Sequence, residues 1–106
     1  MTPKTPYRLI QIEPNVVSDL QMLLVQAGEV SLAAQVEQLS VVEQADHAHG
    51  SDFYMVPRSK GRWGPNHRTL GLQPGALHID VVNDQIVCIE VLRRRSELRQ
   101  ATPDNS

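Results

Sequence analysis

The sequence predicts an α+β fold in which an N-terminal αα-hairpin packs on an antiparallel sheet of about four strands. Three observations predict it. Apolar residues at Val16, Val17, Leu20, Leu23, Leu24 and Ala27 recur at helical spacing. A second apolar set, Leu32, Ala33, Val36 and Leu39, follows after only a few residues. The segment GALHIDVVNDQIVCIEVL then alternates as a β-hairpin.

Taken in order, residues 1–6 hold two prolines and no pattern and are read as a flexible tail. Tyr7 to Ile12 alternates loosely, as an edge strand or extended lead-in that Pro14 closes. The first helix begins with Asn15 or Ser18 as cap and has Asp19 near the positive end of its dipole. Gly28 suits the left-handed position after the helix. The second helix is expected from about Ser31 to Leu39.

Val41 to Ala45 and Asp52 to Val56 read as strands flanking HAHGS, a hairpin with a loop of about five residues. Residues 58–76 have little periodicity, though Arg68–Leu72 can hide a short strand.

Side-chain alternation constrains the last hairpin. A two-residue Asn83-Asp84 loop pairs Leu77 with Glu90 and turns that glutamate onto the apolar face. A three-residue loop, Val82-Asn83-Asp84, gathers Leu77, Ile79, Val81, Val87, Ile89 and Val91 on one face. It also sets His78 opposite Cys88, and it is the register expected. Each buried aliphatic side chain stabilises by roughly 1.5–3 kcal/mol, so this face under a helical pair makes a core without a metal. Residues 96–106 are polar and read as a second flexible tail.

At 106 residues the chain is the size of one domain. Its one cysteine, Cys88, excludes an intramolecular disulfide and favours a reducing, cytoplasmic setting. Neither a signal peptide nor a membrane-length apolar run is read. Net charge is −2, unevenly divided: residues 1–53 hold two bases against seven acids, and residues 54–106 hold eight bases against five acids. Such asymmetry bears on partners rather than on fold.

Four groups of residues are candidates for chemistry. His78, Asp80, Cys88 and Glu90 share the polar face of the last hairpin and are all metal-binding types, while a Cys–His pair also has the makings of a nucleophile. Against that, a strand cysteine among aliphatic residues is commonly inert. His47 and His49 point to one side of an extended HAH segment, yet no CxxC, HExxH or HxxxH completes a zinc set. In the third group, Arg58, Lys60, Arg62 and Arg68 surround Trp63 and His67, a combination that suits phosphates and stacked bases or a protein interface. Arg93, Arg94, Arg95 and Arg99 can extend that patch. The acidic candidates are Glu29, Glu37, Glu43, Asp46 and Asp52. No GxSxG, SxxK or phosphate-binding glycine motif is present, so neither an enzyme nor a cofactor is expected.

The segments SLAAQVEQLSVVEQ and GALHIDVVNDQIVCIEVL, with their ending IxxIEVL, resemble small bacterial proteins, some of which act as immunity partners of neighbouring toxins. In this chain Asn83-Asp84 stands where the turn of such proteins often has Asp-Gly. The resemblance implies an immunity-like role, and the lack of catalytic motifs with the acidic N-terminal half leads to the reading of a non-enzymatic protein-binding module that docks on a basic partner. It assigns no catalytic residue. The residues themselves leave two alternatives open: a nucleic-acid-binding protein using the basic loop and terminal arginines, and a small metal- or thiol-dependent protein.

Overall fold

A computed structural model describes residues 3–58, 61, 63–72 and 76–92. Eleven short elements appear among them. After strand β1 (Tyr7–Arg8) come helices α1 (Leu9–Ile12), α2 (Pro14–Gln26) and α3 (Val30–Ala33), then a single 3₁₀ turn, Val36–Gln38. The strands that follow are β2 (Ser40–Val41), β3 (Glu43–His47), β4 (Gly50–Tyr54), β5 (His67–Leu72), β6 (Leu77–Val82) and β7 (Gln85–Leu92). The fold is α+β, with a five-stranded antiparallel sheet in the order β3-β4-β7-β6-β5 and a two-stranded piece, β1-β2.

The expected first helix is α2. Pro14 occupies its first turn, where a missing N–H costs nothing, and no side chain caps it, so neither Asn15 nor Ser18 has the expected role. Val17, Leu20 and Leu24 form its buried stripe. The helix ends at a left-handed Gly28 (φ 81°), with the Glu29 N–H bonded to the Leu24 carbonyl and the Gly28 N–H to the Val25 carbonyl. This pair of bonds is a Schellman stop, as Gly28 predicts.

Other expectations change. Tyr7–Ile12 is a strand for only two residues before turning helical. Instead of one helix from Ser31 to Leu39, the chain makes the single turn α3, then the 3₁₀ turn, and Leu39 is extended. The αα-hairpin is therefore one helix followed by two short turns. A segment this short gains little from propagating a helix, and it is diverted to pair β2 with β1. Its apolar residues still reach the core: Leu32, Ala33 and Val36 are buried.

The sheet has five strands rather than about four, because β5 is the strand hidden around Arg68–Leu72. The HAHGS loop also tightens. His47 pairs with Gly50, leaving a two-residue Ala48-His49 turn and placing His47 within a strand. Gly50 is required there, since a Cβ would sit 1.8 Å from the Val91 carbonyl oxygen of the neighbouring strand.

The last hairpin corrects the expected register. Its loop is the two-residue Asn83-Asp84 turn, Val82 pairing with Gln85, and both turn residues are left-handed (φ 51° and 61°) as a type I′ turn demands. Beyond Val81–Ile86 the register shifts by one, so Asp80 meets Cys88, Ile79 meets Ile89 and His78 meets Glu90. Val87 is the extra residue of a β-bulge. The bulge performs what a three-residue loop was expected to do, and the inward set becomes Leu77, Ile79, Val81, Ile86, Ile89 and Val91. Ile86 replaces Val87 in that set, and His78 does not face Cys88.

Gln35 fastens this irregularity to the helical layer. Its carboxamide accepts from the Ile86 N–H (3.1 Å) and donates to the Asp84 carbonyl (2.7 Å). The backbone groups freed by turn and bulge thus regain partners. Leu9, Leu20, Leu24, Val36 and Val41 close over Phe53, Ile79, Ile89 and Val91, all on one side of the sheet. At the β3 edge, Tyr7 donates to Gln44 Oε1 at 2.5 Å. Burial, aided by the Glu13 and Asp46 carboxylates, pushes its phenol up to about 12.

Gln35→Ala is expected to cost about 1–3 kcal/mol in denaturant unfolding, because the Ile86 N–H loses its acceptor. Gly50→Ala should cost about 3 kcal/mol or more, since the new methyl meets backbone rather than a flexible side chain.

Candidate functional site

The helices cover one face of the sheet. The other carries side chains in cross-strand rows fixed by register. One row runs Ala45, Asp52, Glu90, His78, Gly71, and the next runs Glu43, Tyr54, Cys88, Asp80, Thr69. His47 lies opposite Gly50, one step along the same face. These residue types alternate with the core residues, so the bulge that turns the apolar set inward also turns these outward.

Each acid on this face has a partner. His47 Nε2 stands 3.4 Å from Asp52 Oδ1 and 3.9 Å from Glu90 Oε2. The other oxygen of Glu90, Oε1, faces His78 Nδ1 at 3.5 Å. Asp80 Oδ1 is bonded by Thr69 Oγ1 and lies against His67 Nε2, both at 2.8 Å. Arg58 reaches Glu43 at 3.4 Å and stacks on Tyr54, its guanidinium carbon 4.8 Å from the ring centroid.

His47, Asp52 and Glu90 offer ligand atoms that all lie within 4.8 Å of one another. His49 stands apart, its ring 6.4 Å from that of His47, and its backbone N–H donates to His47 Nδ1 (3.2 Å). The two imidazoles of HAH therefore do not converge. The residues that join His47 come from β4 and β7, more distant in sequence.

Cys88 is buried, with Asp80 across from it on one side and Tyr54 on the other. Burial and the surrounding Asp80, Asp52 and Glu90 carboxylates push its thiol up to about 12. A thiolate nucleophile is thus disfavoured twice over, by desolvation and by negative charge.

Among the described residues the basic and acidic candidates do not separate into two surfaces. Arg68 makes a two-pronged pair with Glu29, both bonds 2.9 Å, across 39 residues of sequence. The same contact lowers the Glu29 carboxyl below its ordinary value. It ties β5 to the turn between α2 and α3, and its contribution is present at neutral pH and lost as acid protonates Glu29. Asp46 accepts from Ser51 and Gln44, on the helix-covered side. Glu37 is exposed on the 3₁₀ turn, outside the strands of the sheet. Trp63 is half-buried with its ring 6.4 Å from that of His67. Lys60, Arg62, Arg93, Arg94, Arg95 and Arg99 lie outside the described residues.

A shallow groove of about 410 Å³ lies on the helical side, between Gln35, Leu39, Met55, Val56, Gln85 and Val87, with no charged residue in its lining. Among the described residues no helix is long and apolar enough to cross a membrane.

Fold and face together define a small α+β domain whose sheet, among the described residues, is covered by helices on one side and carries mainly carboxylates and imidazoles on the other. No protein-family model matches the chain, and no curated protein or solved structure is significantly similar to it.

Alkylation of Cys88 in the folded protein at pH 8 should run roughly a thousand-fold slower than for a free cysteine, in proportion to its thiolate fraction. It should reach the ordinary rate in denaturant. A fast native rate would show the thiol to be activated.

Proposed function

We propose that this chain is a non-enzymatic protein-binding module that docks a basic surface of its partner on the open face of the sheet, in the manner of an immunity protein against a toxin. One observation carries the reading. Asp52, Asp80 and Glu90 stand in adjacent rows of three neighbouring strands and face imidazoles, which carry charge only when protonated. A rigid sheet thus presents several carboxylates to one side, and such a field steers encounter with a cationic partner.

Two further points favour a protein partner over nucleic acid. Arg58 and Arg68, half of the charge in the basic loop, are held by Glu43 and Glu29. The open face beside Arg58 is acidic, which repels phosphates. Against an enzyme stands the Cys88 thiol, disfavoured as a nucleophile by burial and by the surrounding carboxylates.

Tagged wild-type chain and a variant combining Asp52→Asn, Asp80→Asn and Glu90→Gln should be compared as baits in a lysate of the source cells. The wild type should capture a basic protein whose association slows with salt, and the variant should lose about tenfold or more in association rate while keeping its circular dichroism. Glu37→Gln, away from the face, should bind normally. Equal capture by the triple variant contradicts the reading, as does capture of nucleic acid in place of protein.

A further inference from the structure

We propose that His47, Asp52 and Glu90 form a site for one divalent transition-metal ion, zinc being the best fit, with His78 holding Glu90 in place. The inference goes beyond the docking role above and is tested without a partner.

Three strands converge on this point. His47 ends β3, and its cross-strand neighbour is Gly50, which has no side chain to fill the row. The imidazole instead meets the next row, where Asp52 of β4 pairs directly with Glu90 of β7. The required absence of a Cβ at Gly50 permits β4 to approach β7.

Spacing suits a small ion. With bonds of about 2.0–2.2 Å in a tetrahedron, two ligand atoms stand roughly 3.3–3.6 Å apart. The His47 Nε2 to Asp52 Oδ1 separation, 3.4 Å, is already such an edge. Glu90 Oε2, at 3.9 Å from the same nitrogen, needs only a small side-chain movement to complete the triangle. The set of one imidazole and two carboxylates leaves a fourth position to solvent. Calcium needs six to eight oxygens, and this set is too small for it, while the nitrogen donor favours zinc and its neighbours.

Two features suit the site to a cation. Asp52 Oδ1 is sealed from solvent and, among the described residues, is the one buried side-chain polar atom without a hydrogen bond, its contact with His47 Nε2 at 3.4 Å being an ion-pair distance only. Buried acceptors of that kind call for an ion or a water. Glu90 is meanwhile held from behind, its second oxygen against His78 Nδ1 at 3.5 Å, which is how outer partners orient a ligating carboxylate.

The metal-free state has its own proton at the same place. His47 Nδ1 accepts the His49 N–H, so the neutral ring carries its proton on Nε2, between the two carboxylates. A metal ion replaces that proton, moves the ring proton to Nδ1 and breaks the contact with His49. Binding therefore has a signature in the 48–49 turn as well as in affinity.

The test is titration of zinc into the chelator-treated, tag-free full chain, followed by calorimetry and by nitrogen-15 spectra of the histidines. One zinc per chain should bind, His47 should change from the Nε2–H to the Nδ1–H form, and the His49 amide should shift. His47→Gln, Asp52→Asn and Glu90→Gln should each weaken binding at least tenfold, and His78→Asn about tenfold. His67→Asn and Cys88→Ser should leave it unchanged, and cobalt should give no thiolate charge-transfer band. Absence of stoichiometric uptake overturns the proposal. So does uptake that survives the Asp52→Asn/Glu90→Gln double variant, that vanishes in His67→Asn, or that leaves the His47 tautomer unmoved.

Discussion

One inserted residue organises this molecule. A type I′ turn at Asn83-Asp84 is the natural way to reverse a twisted strand, but continued as a regular ladder it would send Ile89 and Val91 to solvent and Glu90 into the core. The bulge at Val87 resets the phase, and from Asp80–Cys88 onward Leu77, Ile79, Ile89 and Val91 point toward the helices. Its cost is a break in the ladder, and Gln35 offsets that by bonding the Ile86 N–H and the Asp84 carbonyl. The helical layer is thus joined to the hairpin by polar contacts at the irregularity as well as by the apolar face beside it.

The same phase decides where chemistry can occur. With Ile79, Ile89 and Val91 inside, the intervening His78, Asp80, Cys88 and Glu90 are outside, and β4 adds Asp52 and Tyr54 to that side. A sheet with no helix over one face commonly reads as apolar-in, polar-out. Here many of the polar positions hold carboxylates and imidazoles, which underlies both the proposed electrostatic surface and the proposed ligand set. Either role depends on register, since a one-residue slip would bury the charges and expose the core.

Much of the architecture was legible in the residues, because it rests on periodicity. The helical stripe of α2, its Gly28 stop, the strand at Arg68–Leu72 and most of the inward set of the last hairpin all follow from spacing. What was not legible depends on tertiary contacts. The Ser31–Leu39 pattern suits a helix, but Leu39 is extended because β2 pairs with β1. The bulge mimics an odd-numbered loop in its effect on alternation, so the pattern alone does not tell them apart. His47 was visible as a ligand type, yet its convergence with Asp52 and Glu90 needs the β4–β7 register and the constraint on Gly50. The charge asymmetry along the chain was real in sequence and is partly cancelled in space, where Arg68 meets Glu29 and Arg58 meets Glu43.

The most direct measurement of this account is the cross-strand nuclear Overhauser pattern of β6 and β7 in the isotope-labelled protein. Contacts between Ile79 and Ile89, Asp80 and Cys88, and His78 and Glu90, with Val87 unpaired, are the predicted result. Contacts of Ile79 with Cys88, or of His78 with Cys88, would mean an unbroken ladder or a longer loop. Either would contradict the placement of both the core and the open face.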